Sequence, residues 1–589
     1  MSKFSFPVSR RRLLQGAAAV ATGAPAIITA RRVDASVGSL FPLGVASGDP
    51  TSRSVVLWTR LAPDPLNGGG LAKRVVPVTW EVARDPHMRH IVRRGRDLAR
   101  ADQGHVVQPT VFGLRPNQTY YYRFHALGQG SRIGRTRTFP SRFQNPGNMR
   151  FALVSCNNYE QGFYPAFADI ADQDIDFVLH VGDYMYEGAA GTPDEGFPVR
   201  LHNGPESVTV EDYRNRYALY RLDQDLQDAH AKHPFIVTWD DHEVDNNYAG
   251  EVPEDGQLPS DFIERRTNAY QVYAETMPLR RFNRIGFRRG GLNLARKLSF
   301  GDLADIHVLD TRQFRTDQPA GDGFGSTDVL APADAGLLEA VLGEQLFDEA
   351  GINDPASTML GIRQELWLAN NLRRSRARWN VLAQQVMQMR WNLRATVEAT
   401  LAFDPQTPPE ALAAFQQVNE TLNVDAWDGY PEARQRLYSI LDALRPNNPV
   451  VLTGDIHSSW GANLLKDFAN PESDVLAAEF VCSGVSSTFL SPDPRPTAAI
   501  VAASIPENPH IAFFDGLFRG YVLCDVNHAR WRTEYRGVGT PADITNPDPL
   551  AFVPMEGDPV TTIATAEVRA GFNRPGSNER VRLVSSIFP

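Results

Sequence analysis

Hydrophobic positions along the chain follow two regimes, with the change near residue 150. Between Leu40 and about Thr138, short runs rich in β-branched and aromatic residues are punctuated by Gly, Pro, Asn and Asp. Examples are "SVVLWTRL" (54–61), "VVPVTWEVARD" (75–85) and "QTYYYRFHA" (118–126). This pattern predicts a small all-β sandwich. The stretch "PSRFQNPGN" (140–148) reads as a linker. From Arg150 onward, near-continuous apolar runs alternate with amphipathic helical stretches. The runs are 150–156, 176–183, 235–243, 304–312, 379–385, 449–457 and 476–484. The helical stretches include "EDYRNRYALYRLDQDLQDAHAK", "LWLANNLRRSRARW" and parts of 408–446. Apolar strands separated by helices predict a layered α/β domain. Near the end, "VRLVSSIF" reads as a returning strand.

The first 35 residues stand outside this pattern. Ser9-Arg10-Arg11-Arg12-Leu13-Leu14 precedes an apolar, small-residue run from Gly16 to Ala30, and Val33-Asp34-Ala35 offers a cleavage point. That order of parts predicts a secretory leader, and the paired arginines before Leu-Leu resemble the twin-arginine (Tat) signal for folded export. The expected division is therefore a leader at 1–35, a β-sandwich at 38–142 and a larger domain at 149–589. A periplasmic or extracellular location with no transmembrane segment follows, and a monomer is expected. The net charge of −10 argues against nucleic acid or an anionic membrane as the main partner. Three cysteines, Cys156, Cys482 and Cys524, make a poor disulfide framework.

Candidate chemistry sits at the ends of the apolar runs. Cys156 ends the first, Asp183 the second with Tyr186 after it, Asp240, Asp241 and His242 the third, and Asp455 and His457 a later one. In open α/β sheets, ligands bind beyond the carboxyl ends of the strands. Asp183 and Tyr186 are three apart, so one turn aims both at one point. A carboxylate can bridge two cations, and a phenolate suits a trivalent one. "TWDDHEVDNNY" (238–248) packs four acids, one His and two Asn into one loop, which is costly to bury without cations. Asp455 and His457, two apart on an extended segment, share a face.

The blocks "GVASGDP", "SVVLWTRL", "SCNNYEQGFY", "HVGDYMYE", "WDDHEVDNNYAG", "LDTRQFR" and "LTGDIHSSW", in this order over roughly residues 40–535, resemble the PhoD family of alkaline phosphatases and phosphodiesterases, within the metallophosphoesterase superfamily. The resemblance implies a layered β-sheet sandwich flanked by helices, preceded by a fibronectin type III- or Ig-like domain. "FGLRPNQTYYYRF" itself resembles a corner of the fibronectin type III kind. It further implies that Cys156, Asp183, Tyr186 and His457 bind Fe(III). Asp183, Asp241, Asn247 and Asp455 would supply oxygens to one or two Ca²⁺ ions. The Asp-x-His block usual in the superfamily is here Ser155-Cys156, and Asp241 stands where an Asn is usual.

On this reading, clustered cations cancel substrate charge and present a hydroxide to phosphorus. His242 is the expected non-ligand catalytic residue, protonating the leaving group or stabilising charge. Arg312 and Arg315 either contact phosphate or form a buttressing ion pair. The segments 313–360 and 395–430 are candidate lids. Two rival readings stay open: a phospholipase D-type esterase acting on phospholipid head groups, and an exported binding protein that keeps its metal only for structure.

Overall fold

The computed structural model describes residues 38–588, apart from 192–197, 254–256, 284–290, 320–323, 326–336, 339–351, 404–406, 490–492 and 547. The expected leader, 1–35, lies outside the described residues. All seven apolar runs of the second regime contain a strand. These are Asn148–Val154, Phe177–His180, Pro234–Val237, Ala304–Val308, Trp379–Ala383, Pro449–Thr453 and Val475–Val481. They fall into two sheets. In an eleven-stranded sheet, Asn148–Val154, Phe177–His180, Pro234–Val237 and Val45–Gly48 run side by side and parallel. In a seven-stranded sheet, Ala304–Val308, Trp379–Ala383, Pro449–Thr453 and Val475–Val481 do the same.

One hydrophobic core joins these sheets face to face. Phe151, Leu153, Phe177, Leu179 and Ile236 from the first meet Ile306, Val308, Val381, Val450 and Phe480 from the second. Each sheet buries its other face under helices. Pro165–Asp172, Val210–Arg221, Gln224–Lys232 and Pro259–Thr276 cover the first, and Gly361–Arg374 and Pro431–Leu444 cover the second. Burial on both faces is why the parallel strands read as unbroken apolar runs rather than alternating ones. The chain is thus α/β, with helices outside two packed sheets.

Three features depart from the pattern-based expectation. The helical stretch 211–232 is two helices, because Asp223 leaves the helical backbone and its carboxylate caps the N–H groups of Asp225 and Leu226. Four antiparallel strands, Gly520–Asn527, Arg530–Val538, Val560–Arg569 and the expected Arg582–Ser586, extend the large sheet beyond Asn148–Val154. The N-terminal all-β region is also less separate than a free module. Its five-stranded sheet, centred on Val76–Ala83 and Thr119–Ala126, packs Val78, Val82, Tyr120 and Phe124 against Val55 and Leu57. Those two belong to Ser54–Arg60, which is itself a strand of the eleven-stranded sheet. Among the described residues, no helix is long and apolar enough to cross a membrane.

Candidate metal centre

Parallel strands send their carboxyl ends the same way, so the loops that follow them converge. Cys156 lies just past Asn148–Val154, Asp183 past Phe177–His180, Asp240 to His242 past Pro234–Val237, and Asp455 and His457 past Pro449–Thr453. Two glycines allow the loops to come close. A Cβ on Gly182, at φ +123°, would lie 2.4 Å from Asp240 Cβ and 2.6 Å from its backbone nitrogen. A Cβ on Gly454 would lie 2.4 Å from Ser155 Oγ, across the two sheets. The expected ligands also hold unusual backbone: Cys156, Asp183, Asn247, Asp455 and His457 all have positive φ, between 50° and 67°. Only the surrounding structure maintains non-glycine residues there, and such strain concentrates at functional sites.

Side chains from four loops meet as three overlapping donor groups. Donor atoms within each group lie within 4.8 Å of one another: Cys156, Asp183 and His457; Asp183, Asp241 and His242; and Asp240, Asp241 and Asp455. Tyr186 joins the first, its hydroxyl 3.0 Å from Asp183 Oδ2, 3.1 Å from His457 Nε2 and 2.8 Å from Ser487 Oγ. His457 Nδ1 lies 2.9 Å from the carbonyl oxygen of Thr488, so that nitrogen carries the hydrogen and Nε2 is left as the donor atom. Asn247 lies at the edge of the cluster, its backbone N–H donating to Asp241 Oδ2 at 2.7 Å.

The electrostatics of this cluster call for cations. Burial, then the Asp241 charge, pushes the Asp183 carboxyl well above the carboxylate range. Burial does the same to Asp240 against the pull of Arg312. Burial and Asp183 push the Cys156 thiol up. Asp241 goes the other way, because Arg312 and His242 outweigh its burial. Asp183 Oδ1, Asp240 Oδ2 and Asp241 Oδ1 are buried and accept no hydrogen bond. Buried carboxylate oxygens without partners are expensive. A set of carboxylates, phenol, imidazole and thiol with such oxygens fits hard cations with one softer ligand.

Arg312 occupies a different place from the one a substrate contact requires. Its side chain is 0% exposed. The guanidinium pairs with Asp240, forks onto Asp425 at 2.8 and 2.9 Å, and reaches Asp455 at 3.2 Å and Asp241 at 3.5 Å. Four carboxylates thus engage this one guanidinium. Arg315 is likewise buried, 2.6 Å from Asp425 and 3.0 Å from the carbonyl oxygen of Asn247. The lid expectation for 395–430 also changes. Val397, Leu401, Ala411 and Phe415 are core residues, and Asp425 near its end reaches the site. Most of 313–360 lies outside the described residues.

His242 stands beside Tyr186 and Glu187. Its ring lies 4.0 Å from that of Tyr186, and its Nδ1 is 2.8 Å from Glu187 Oε2. Burial opposes a charge on this ring, but Glu187, Asp183 and Asp241 prevail and raise its pKa well above the ordinary range. Glu187, Glu243, Asp425 and Thr488 are supporting residues not singled out by the sequence pattern. The first two do stand inside the motifs "GDYMYE" and "WDDHE".

Comparison with known proteins gives matches over most of the chain. The model of the PhoD-like phosphatase family matches residues 151–535, and that of the PhoD-like phosphatase N-terminal domain matches 28–140. Alkaline phosphatase D of Bacillus subtilis (strain 168) is 43% identical over 538 residues, covering 90% of this chain and 84% of the relative. A solved structure described as "Structure of PhoD" superposes with a TM-score of 0.78 at 40% identity, covering 93% of this chain and 92% of that one.

Proposed function

This chain belongs to the PhoD-like phosphatase family, a family of phosphoester hydrolases, and on that premise we propose that it is an exported enzyme that cleaves phosphodiesters, phosphomonoesters or both at the cluster around Asp183 and Asp241. The observation that carries this reading is the run of three overlapping donor groups with buried carboxylate oxygens that accept no hydrogen bond. In it, Cys156, Asp183, Tyr186 and His457 hold Fe(III), and Asp183, Asp241, Asn247 and Asp455 hold one or two Ca²⁺. When bound, these cations supply charge neutralisation for the phosphoryl oxygens and a water of lowered pKa.

The chain's own residues do the rest. Glu187, 2.8 Å from His242 Nδ1, keeps the hydrogen there and favours the protonated ring, which would pass a proton from Nε2 to the departing oxygen. The Tyr186 ring fixes the imidazole plane. Arg312 holds Asp240, Asp241 and Asp455 at fixed spacing without touching substrate. The basic leader at 1–35 supports Tat export, and residues 38–142 and 149–589 divide as a β-region and a catalytic region.

Elemental analysis of the purified protein, paired with rates on an aryl phosphodiester and a phosphomonoester, tests the reading. Iron and calcium are expected, together with visible absorption from the Tyr186–iron bond. Chelation is expected to abolish both rates while far-UV circular dichroism stays unchanged. A colourless, metal-free protein with full activity refutes it.

A further inference from the structure

We propose that Glu243 is a positioning residue, a carboxylate clamp that ties together the loops after Phe177–His180 and Pro234–Val237 and so sets the spacing of Asp183 and Asp241 around a cation. The inference rests on the metal-site reading above, and it adds a residue that reading does not use.

Glu243 is 0% exposed. Its Oε2 accepts the backbone N–H of Asp183 at 3.0 Å and that of Asp240 at 2.8 Å. Its Oε1 accepts the backbone N–H of Tyr184 at 2.7 Å. Among the described residues, no Arg or Lys pairs with this carboxylate. Its stabilisation comes from three main-chain dipoles, two from one ligand loop and one from the other. Buried N–H groups need acceptors, and the two oxygens of Glu243 supply them.

The backbone explains why a side chain has to do this. Past the strand ends, the ladder between the two strands stops, with Thr238 N–H to the carbonyl oxygen of His180 the last step before the loops diverge. Asp183 turns into positive φ at 56°, which aims its N–H inward. Gly182 lets the first loop approach Asp240 more closely than any side chain would permit. The N–H groups of Asp183 and Asp240 therefore point at one spot, and Glu243 Oε2 occupies it. The two backbone groups that share Glu243 Oε2 belong to Asp183 and Asp240, whose own Oδ1 and Oδ2 respectively accept no hydrogen bond. Replacing an outer residue that orients metal ligands typically costs about 10–100-fold in metal affinity.

The test uses the full chain, stripped by chelator. A glutamine at this position has one acceptor oxygen: turned to Asp183 and Asp240 it leaves Tyr184 N–H unpaired, and turned to Tyr184 it releases the bridge between the loops, so neither orientation keeps all three bonds. Glu243→Gln and Glu243→Ala are titrated with Ca²⁺ alone by calorimetry, and amide exchange is followed by mass spectrometry in the metal-free state. The Gln variant is expected to bind Ca²⁺ about 10–100-fold more weakly. Exchange is expected to rise in 181–186 and 238–243 together, while 452–460 stays as in the wild type. Wild-type Ca²⁺ affinity in both variants overturns the proposal. So does exchange that rises everywhere alike, which would mean general loosening. If the Ala variant does not fold, the Gln variant decides. A Gln variant that does not fold also overturns it, since the carboxylate would then serve the fold and not the spacing. A wild-type chain that takes up no Ca²⁺ refutes the metal reading, whereas coupled exchange of the two loops reports on the clamp by itself.

Discussion

Replacing Arg312 by methionine keeps the stem and removes the guanidinium. Four carboxylates lose a partner at once: Asp240, Asp241, Asp425 and Asp455. Removing one member of a buried pair costs about 3–5 kcal/mol. Asp425 keeps Arg315 at 2.6 Å, so its share of the loss is small. The other three face the metal cluster, and cations neutralise them when bound. The penalty therefore depends on loading: about 3 kcal/mol or less with metal, and about 5 kcal/mol after stripping. Thermal unfolding of Arg312→Met and wild type, each with and without chelator, reads this directly. The gap in Tm between loaded and stripped protein is expected to widen in the variant. An equal or narrower gap refutes the idea that Arg312 and the cations share one set of carboxylates. A stripped variant as stable as stripped wild type refutes the ion-pair accounting altogether.

Other substitutions divide the site by role. His242→Ala is expected to lower kcat by about 100-fold or more, with iron and calcium contents unchanged by elemental analysis. Cys156→Ser puts a hydroxyl where the thiol stands, and iron content is expected to fall while the circular dichroism spectrum stays that of the wild type. In Gly182→Ala, strain of about 1–3 kcal/mol adds to overlap with the Asp240 backbone. Activity is then expected to drop at least ten-fold, with a clear fall in Ca²⁺ affinity measured by calorimetry.

The parts of the molecule that local chemistry dictates were visible in the sequence. Seven parallel strands read as apolar runs because both their faces are covered, and the candidate ligands stood out as polar residues closing those runs. What depends on which loops become neighbours did not show. Glu187 and Glu243 sit within the quoted motifs, but an acid beside an acid reads as one more ligand until its hydrogen bonds are seen. Arg312 and Arg315 are written alike whether they face solvent or are buried. The antiparallel strands Gly520–Asn527 and Arg530–Val538 were missed although Trp531, Thr533 and Tyr535 are buried in strict alternation. Arg530–Val538 carries its buried residues on alternate positions, so a search tuned to unbroken runs passes over it, whereas Gly520–Asn527 does hold an unbroken apolar run, Tyr521 to Cys524, buried throughout.

The shared sheet has a consequence for how the chain can be cut. Val45–Gly48 pairs with Pro234–Val237, which is buried along its whole length. A fragment beginning at residue 149 would turn that interior strand into a bare apolar edge, the kind that recruits other chains. Expression of the second region alone is thus a recipe for aggregates rather than a minimal enzyme. The same pairing orders events during synthesis. The first strands wait for a partner nearly two hundred residues downstream, so the large sheet closes only after the Asp240 loop has left the ribosome.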